Sequence, residues 1–510
     1  MLGMTATTII LVFVGTTAGI IFGFLPGLSA TMGVALLMPF TFGMDIINSM
    51  ALLLGVYCGG IYGGSITAIL IRTPGTPAAA ATVLDGYPMT KAGRAREALS
   101  LATIGSFWGG IFSCIVLSFA AGALAKFALR FGAPEYFAVG IFGMSMVTSL
   151  AAKNPMKGII SAMLGFMLST IGIDSITGTP RFTLGNVRMM AGIEIVTALV
   201  GLFAISEVLS NIGDSVKPKV RREVAHYEGK SENLFRFFVK YPVNFIRSAV
   251  IGTVVGIIPA TGGGTASWMS YNEAKRASKE PDSFGEGNPN GVVASEVANN
   301  AVTGGALIPL LALGVPGDTV TAVLLGALML QGITPGPMLF VNRPEVATGI
   351  YILMIFANIA MCFLGLVCVR AFLRILKVPE SVLMSIVLSL CCIGAFAVRG
   401  YSFDIKCALI MGVFGYFFQK TGYPVPPILL GLILGKTVEA NFRRAMQQAM
   451  GDWTVFFTHP ICCVLLIISI AAFLFPIIRW VINWNKERKA AAAIPETAAE
   501  AAAEAGGDDE

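Results

Sequence analysis

The sequence predicts an all-α polytopic membrane protein of two related, inverted halves, and three observations carry that prediction. Composition is the first. Of 510 residues, 55% are hydrophobic and only 13% charged, with a mean hydropathy of +0.78, whereas soluble domains carry about 25% charged residues. The second is recurrence: apolar stretches long enough to cross a bilayer, about 20 residues each, run from residue 8 to residue 483 and predict roughly eleven to thirteen membrane segments. The third is duplication. Gly19-x3-Gly23-x2-Pro26 returns as Gly252-x3-Gly256-x2-Pro259 at a constant offset (252 − 19 = 233). Farther on, GGSITAILIRTPGT around Pro74-Gly75 is answered by GGALIPLLALGVPGDT around Pro316-Gly317.

Each half therefore holds two apolar segments interrupted by a Pro/Gly step with hydroxyl residues beside it. In lipid, backbone that leaves helical geometry frees polar groups that no water can satisfy. Such breaks survive only when buried in protein or lining a polar cavity. Paired breaks in two halves are the sequence signature of a transporter binding site. A single break is better explained as a kink, and small residues as an aid to close packing. Four breaks in two matching pairs favour the site, and each half is expected to supply a re-entrant hairpin and a broken helix.

The halves are bounded by charge. Residues 1–211 form the first half and 212–247 a connector with eight basic residues (Lys217, Lys219, Arg221, Arg222, Lys230, Arg236, Lys240, Arg247) against four acids. The positive-inside rule makes this connector cytoplasmic. Leu234, Phe235, Phe237, Phe238 and Tyr241 among its basic residues suit an interfacial helix, and a solvated linker fits equally well. Lys91, Arg94 and Arg96, Lys275, Arg276 and Lys279, and Arg370, Arg374 and Lys377 mark further cytoplasmic loops. Residues 248–485 hold the second half, followed by scaffold helices from about Val346 that lack an obvious duplicate. Trp480, Trp484, Lys486, Arg488 and Lys489 put the C-terminus inside. Residues 486–510 read as a disordered acidic tail.

Several function classes drop out. The net charge of +6 comes from short loops with no extended basic face, so no nucleic-acid partner is expected. Nine cysteines show no metal-ligand spacing. Two histidines, His226 and His459, leave no basis for a histidine zinc site, and no structural metal or cofactor is expected. No signal peptide is evident at the N-terminus.

The chemistry concentrates at the four breaks. Pro26, Gly27, Ser29 and Thr31 form the first; Thr73, Pro74, Gly75 and Thr76 the second. The third is Thr261, Gly262, Gly263, Gly264 and Thr265. The fourth is reached through Asn299 and Asn300 and consists of Pro316 and Gly317. Half-helix N-termini with free N–H groups suit carboxylates. Hydroxyls, unwound carbonyls and acidic oxygens suit a coupling cation, for which Glu296, Asn300, Asp318 and Thr319 are candidates. Asp318 and Glu296 have a competing reading as caps of a freed helix end. Arg72 is unusual, since a charge at mid-bilayer costs about 2.5–3.5 kcal/mol on insertion scales. It is a possible carboxylate contact, with pairing to Glu296 or Asp318, or snorkelling to an interface, as the alternatives. Lys436 and Glu439, three apart on a predicted helix, are expected to pair locally.

At GFLPGLSATMGVALLMPFTFGMD, YGGSITAILIRTPGTPAAAATVLDGYPMTKAGRAREAL and GGALIPLLALGVPGDTVTAVLLGALMLQGITPGPMLF, the sequence resembles the large membrane subunit of the tripartite tricarboxylate transporters, the TctA family. The likeness runs from Gly15 to about Trp480. It implies a bacterial inner-membrane carrier that imports di- and tricarboxylates by ion-driven symport and alternating access, without ATP. Its partners would be a small TctB-like membrane subunit of about four helices, a TctC-like periplasmic solute-binding protein that delivers substrate, and the lipid bilayer. The only inorganic participant would be transported Na⁺ or H⁺. Two departures from the family pattern are Arg72 and Ala260 in IPATGGG. The competing readings are an intramembrane aspartyl hydrolase, suggested by Asp318 in PGD but lacking the Gly-x-Gly-Asp order, and a passive anion channel.

Overall fold

The computed structural model describes residues 4–25, 27–145, 154–174, 176–214, 241–259, 261–369 and 380–492. Most of the connector, the Arg370–Lys377 cluster, the last eighteen residues, and the break residues Pro26 and Ala260 lie outside the described residues. The fold is all-α. Six helices among the described residues are long and apolar enough to cross a membrane: Ala6–Phe24, Ile46–Ile71, Ala95–Ala128, Pro289–Leu313, Pro344–Val367 and Pro460–Ile482. Six shorter apolar helices accompany them, three of which (Ala30–Thr41, Pro242–Ile257 and Thr319–Leu330) border a Pro/Gly interruption. Long and short together fall within the expected range.

The first half opens with α1 (Ala6–Phe24), the break, and α2 (Ala30–Leu37). α3 (Ile46–Ile71) then runs to the second break, followed by α4 (Thr82–Lys91), the long α5 (Ala95–Ala128) and α6 (Ala133–Ser145). α7 (Pro155–Ser169) leads into a two-residue hairpin, β1 (Gly172–Ile173) with β2 (Pro180–Arg181), in which Gly172 pairs with Arg181. α8 (Ile195–Leu199) passes through a π-turn into α9 (Ser206–Asp214). The second half repeats the opening: α10 (Pro242–Ile257), a break, α11 (Gly262–Arg276), then α12 (Pro289–Leu313), a break, and α13 (Thr319–Leu330). After α14 (Pro337–Asn342) and α15 (Pro344–Val367) come α16 (Glu380–Ala397), α17 (Ser402–Lys420), α18 (Pro426–Gln448), α19 (Val455–Thr458) and α20 (Pro460–Ala492). The helix α20 is described as far as Ala492, beyond residue 486 where the tail was expected to begin.

The two halves share one packing scheme. A Cβ on Gly19 would stand 2.4 Å from the Val56 carbonyl oxygen, and one on Gly23 2.1 Å from that of Gly60. At the repeat positions, a Cβ on Gly252 would stand 2.3 Å from Ala298 O and one on Gly256 2.8 Å from Val302 O. Only glycine allows these backbones to approach so closely. The α1 residues shift by 233 while the α3 residues shift by 242 (298 − 56), so both partners of each contact are duplicated. Gly63 against Ile20 O and Gly305 against Thr253 O complete the set, each at 2.5 Å from a notional Cβ.

The same contacts give the topology. Four-residue steps in one helix match four-residue steps in the other, so α1 runs parallel to α3 and α10 parallel to α12. The side chain of Thr8 bonds Asn48 where α1 and α3 begin. At the far end of α3, Asp85 of α4 accepts the N–H groups of Gly285, Gly287 and Asn288, just before α12 starts. The end of α3 and the start of α12 therefore lie on one face. The α1–α2 hairpin enters from one side of the protein and the α10–α11 hairpin from the other, which is an inverted repeat.

A peripheral bundle of α6, α7, α18 and α20 packs through its own glycines. A Cβ on Gly165 would stand 1.9 Å from Ile428 O, and one on Gly431 2.2 Å from Ala162 O. At one end Glu439 pairs with Arg181 (2.7 Å) and Arg443 (3.3 Å), and Arg443 with Asp174 (2.8 Å). The local Lys436–Glu439 pairing is thus corrected: the β1–β2 hairpin brings Arg181, whose guanidinium makes a forked pair of bonds that an ammonium cannot, and the next helical turn brings Arg443 through a single nitrogen.

Candidate functional site

The first break is closed by its own residues. Ser29 caps α2 by accepting the Met32 N–H (3.2 Å), and Gly27 sits at φ +87°, a conformation that excludes most side chains. The Asn211 amide donates to Gly27 O at 2.8 Å. Thr31 crosses to the other half, its hydroxyl 3.2 Å from that of Thr319. The first and fourth breaks therefore meet.

At the second break α3 ends on Arg72 in the left-handed region (φ 56°). The chain then folds back so that Gly75 N–H donates to Gly64 O at 3.2 Å. A Cβ on Gly75 would lie 2.1 Å from Gly23 O, so the break is clamped against α1. Thr73 and Pro74 are half-buried, and Thr76 is buried with its hydroxyl unpartnered among the described residues. Arg72 points outward: it is exposed and its guanidinium lies 5.8 Å from the Tyr87 ring centre, with Lys91 at 5.3 Å from the same ring. That is the cation–π geometry of an interfacial residue.

The third break presents donors. The Thr261 hydroxyl donates back to the Ile258 carbonyl (2.7 Å), and Gly262 adopts φ +66°. No side chain caps α11, so its first N–H groups are free for other acceptors. Gly262, Gly263 and Gly264 are half-buried, and Thr265 is exposed. A Cβ on Gly263 would come within 2.5 Å of Asn299 Oδ1 and 3.2 Å of Ala78, and one on Gly264 within 3.7 Å of Pro77 O. The third break therefore faces the second, as the first faces the fourth.

The fourth break is the tightest. Gly314 ends α12 at φ +73°, and Val315, Pro316 and Gly317 are buried. A Cβ on Gly317 would lie 2.5 Å from Ala306 Cα and 2.7 Å from Gly256 O. Gly64 and Gly23 flank Gly75 in the same way. Asp318 forms a capping box with Thr321, its Oδ1 accepting the Thr321 N–H at 2.7 Å, while Oδ2 accepts the Tyr57 hydroxyl at 2.7 Å. Both oxygens are engaged, Oδ1 in capping the first turn of α13 and Oδ2 in tying that turn to α3. This arrangement fits the capping reading of Asp318.

Behind the tips lies a buried polar nest. Glu296 Oε1 meets the Thr82 hydroxyl, and Oε2 accepts from Ser106 at 3.2 Å. Asn300 donates to Ser106 at 2.7 Å. Glu296, Asn299 and Asn300 are all fully buried, and the Oδ1 atoms of both asparagines have no partner among the described residues. Such unpaired oxygens are costly unless something binds them. No cluster of three or more metal-ligating side chains occurs among the described residues.

The structure thus brings predicted residues together across the halves at two places, Thr31 against Thr319, and Gly263 against Asn299. Arg72 stands apart from both. Sequence reasoning missed Tyr57, Thr82, Ser106 and Asp85. The duplication could have flagged Tyr57, which occupies the repeat position of Asn299 (299 − 242 = 57).

Comparison with known proteins gives a consistent picture. Residues 9–430 match the description "Tripartite tricarboxylate transporter TctA family". An Agrobacterium vitis protein described as an uncharacterized 52.8 kDa protein in the TAR-I ttuC' 3' region is 37% identical over 468 residues, covering 92% of this chain and 93% of that protein. A second, in the TAR-II ttuC' 3' region of the same organism, is 36% identical over 231 residues, covering 45% of this chain and 96% of its own length.

Proposed function

The chain belongs to the tripartite tricarboxylate transporter TctA family, and from that premise we propose that it is the large membrane subunit of an ion-driven carrier importing di- or tricarboxylates by alternating access. One observation supports a carboxylate site above all. The glycine N-terminus of α11 has no side-chain cap and faces Pro77 and Ala78 just after the second break, beside the unpaired oxygen of Asn299. Free N–H groups at a helix start attract carboxylate, and neighbouring oxygens suit a cation travelling with it. The hydroxyl-rich first and fourth breaks form the repeat-related counterpart.

In this reading the carrier works in the bacterial inner membrane with its C-terminus in the cytoplasm. A periplasmic binding protein delivers substrate, and a small membrane subunit completes the complex. The coupling ion is Na⁺ or H⁺. Counterflow of labelled citrate or tartrate in proteoliposomes containing the complete tripartite system tests the proposal. Saturable exchange against unlabelled acid is expected. Absence of exchange for every carboxylate offered, or leakage without saturation as in a pore, would overturn it.

A further inference from the structure

The nest around Glu296 has no counterpart in the first half. Its repeat position is Leu54 (296 − 242), and those of Ser295 and Asn300 are Leu53 and Cys58. Duplication accounts for the tips but not for this carboxyl group, which is fully buried within α12 where that helix packs on α4 and α5. An ionised carboxylate buried without a countercharge costs several kcal/mol, even after relaxation.

The titratable groups on the surrounding elements are engaged elsewhere. On α4, Asp85 takes the three N–H groups before α12. On α5, Glu97 pairs with Arg94, and Arg96 and Lys126 are exposed. Cys114, also on α5, accepts from Asn358 of α15. On α3, Tyr57 bonds Asp318 and Tyr62 bonds Thr103, while Cys58 contacts Met354. On α10, Arg247 bonds Asn244. On α11, Tyr271 packs on Phe284, Glu273 pairs with Arg276, and Lys275 is exposed. None of these contacts supplies a positive charge to Glu296.

What Glu296 does have is a reversible chain of hydroxyls. Thr82 lies between Glu296 Oε1 and Ser295 Oγ, the latter at 2.9 Å. Ser295 Oγ is in turn 3.0 Å from the carbonyls of Gly291 and Val292. With the carboxyl ionised, Ser295 donates to Thr82 and Thr82 to Glu296. With the carboxyl protonated, each bond reverses: Glu296 donates to Thr82, Thr82 to Ser295, and Ser295 to a carbonyl. Hydroxyls can serve as donor or acceptor by rotating one hydrogen, so no heavy atom need move. Both carboxyl oxygens meet hydroxyl partners, so the carboxyl can take up and release a proton without losing either hydrogen bond.

We propose that Glu296 is the proton-binding site of this carrier, and that H⁺ bound there is the coupling ion. The inference rests on the transport reading above. Glu296 lies one helical turn before Asn299, whose Oδ1 faces the Gly263 tip, so its charge state is felt where α11 begins.

The test uses the full tripartite system in proteoliposomes with the membrane potential clamped. For one coupled proton, each unit of pH gradient supports about tenfold substrate accumulation, since one pH unit is a tenfold ratio of proton activity. Wild type is expected to accumulate carboxylate on an imposed pH gradient without sodium, and Glu296→Gln to lose that accumulation. Infrared difference spectra taken across pH should show a buried, protonated carboxyl band in wild type that Glu296→Gln lacks. Accumulation that follows sodium and ignores pH, an unchanged pH response in Glu296→Gln, or persistence of the band would each overturn the inference. Should Glu296→Gln fail to insert, Thr82→Val breaks the chain and should shift the pH at which the band titrates; an unmoved titration counts against it. Wild-type counterflow is read separately, so loss of the transport reading is distinguishable from loss of proton coupling.

Discussion

At the scale of single residues, buried polar groups carry the sharpest expectations. Tyr57 is fully buried and donates to Asp318 across the halves. Tyr57→Phe removes that donor and leaves a buried carboxylate oxygen unsatisfied, at a cost of about 1–3 kcal/mol. A lowered unfolding midpoint in detergent, with membrane insertion retained, checks this. Asp174, outside the membrane-spanning segments, shows a different dependence. Its carboxyl is held well below the usual range, first by the Arg443 hydrogen bond and then by the Ile176 N–H. A depressed folded value means that this stabilisation is complete above the ordinary value of 3.8 and fades as pH falls toward the folded one. Hydrogen exchange across residues 172–181 should therefore accelerate only in acid below that value. In Arg443→Gln the exchange should already be faster at neutral pH, and its further acceleration in acid should shrink.

Elements show why half of this design was readable beforehand. Proline and glycine act on their own backbone, so the four breaks and their duplication stand out in the chain without any knowledge of neighbours. Which residue faces which depends on helix rotation and on contacts more than two hundred residues apart. Thr82 and Ser106 look like small packing residues in apolar runs, and only the folded arrangement brings them to Glu296. Asp85 reads as an ordinary loop acid until its three N–H partners are seen. The duplicated contacts make a paired prediction at this scale. Gly23→Ala and Gly256→Ala each insert a methyl into a backbone-to-backbone contact, with 2.1 Å to Gly60 O and 2.8 Å to Val302 O. Overpacking of this kind costs about 1–3 kcal/mol, and the tighter site should suffer more. Gly75→Val and Gly317→Val wedge the breaks themselves, and both are expected to abolish uptake. Full transport in both would remove the breaks from the mechanism.

For the whole molecule, the question is which bodies move. The halves are joined by buried and half-buried polar contacts: Tyr57 to Asp318 and the Glu296 nest are buried, and Thr31 to Thr319, Gln331 to Thr41 and Ser49, and the triple clasp of Asp85 are half-buried. Separating such groups without water costs about 1–3 kcal/mol each, so parting the halves in every cycle is expensive. The bundle of α6, α7, α18 and α20 instead meets the fourth break through apolar contacts. A Cβ on Gly143 of α6 would lie 3.4 Å from a Val315 methyl. Apolar surfaces carry no such directional penalty and can slide. The expectation is that the two repeats travel as one unit against the bundle. Paired cysteines separate this from rocking of half against half. A short crosslink between Ser49→Cys and Gln331→Cys, whose side chains are 2.8 Å apart across the halves, should form and leave uptake intact. One between Gly143→Cys and Val315→Cys should block uptake until a reductant is added. The opposite pattern would mean that the halves part and the bundle stays with one of them.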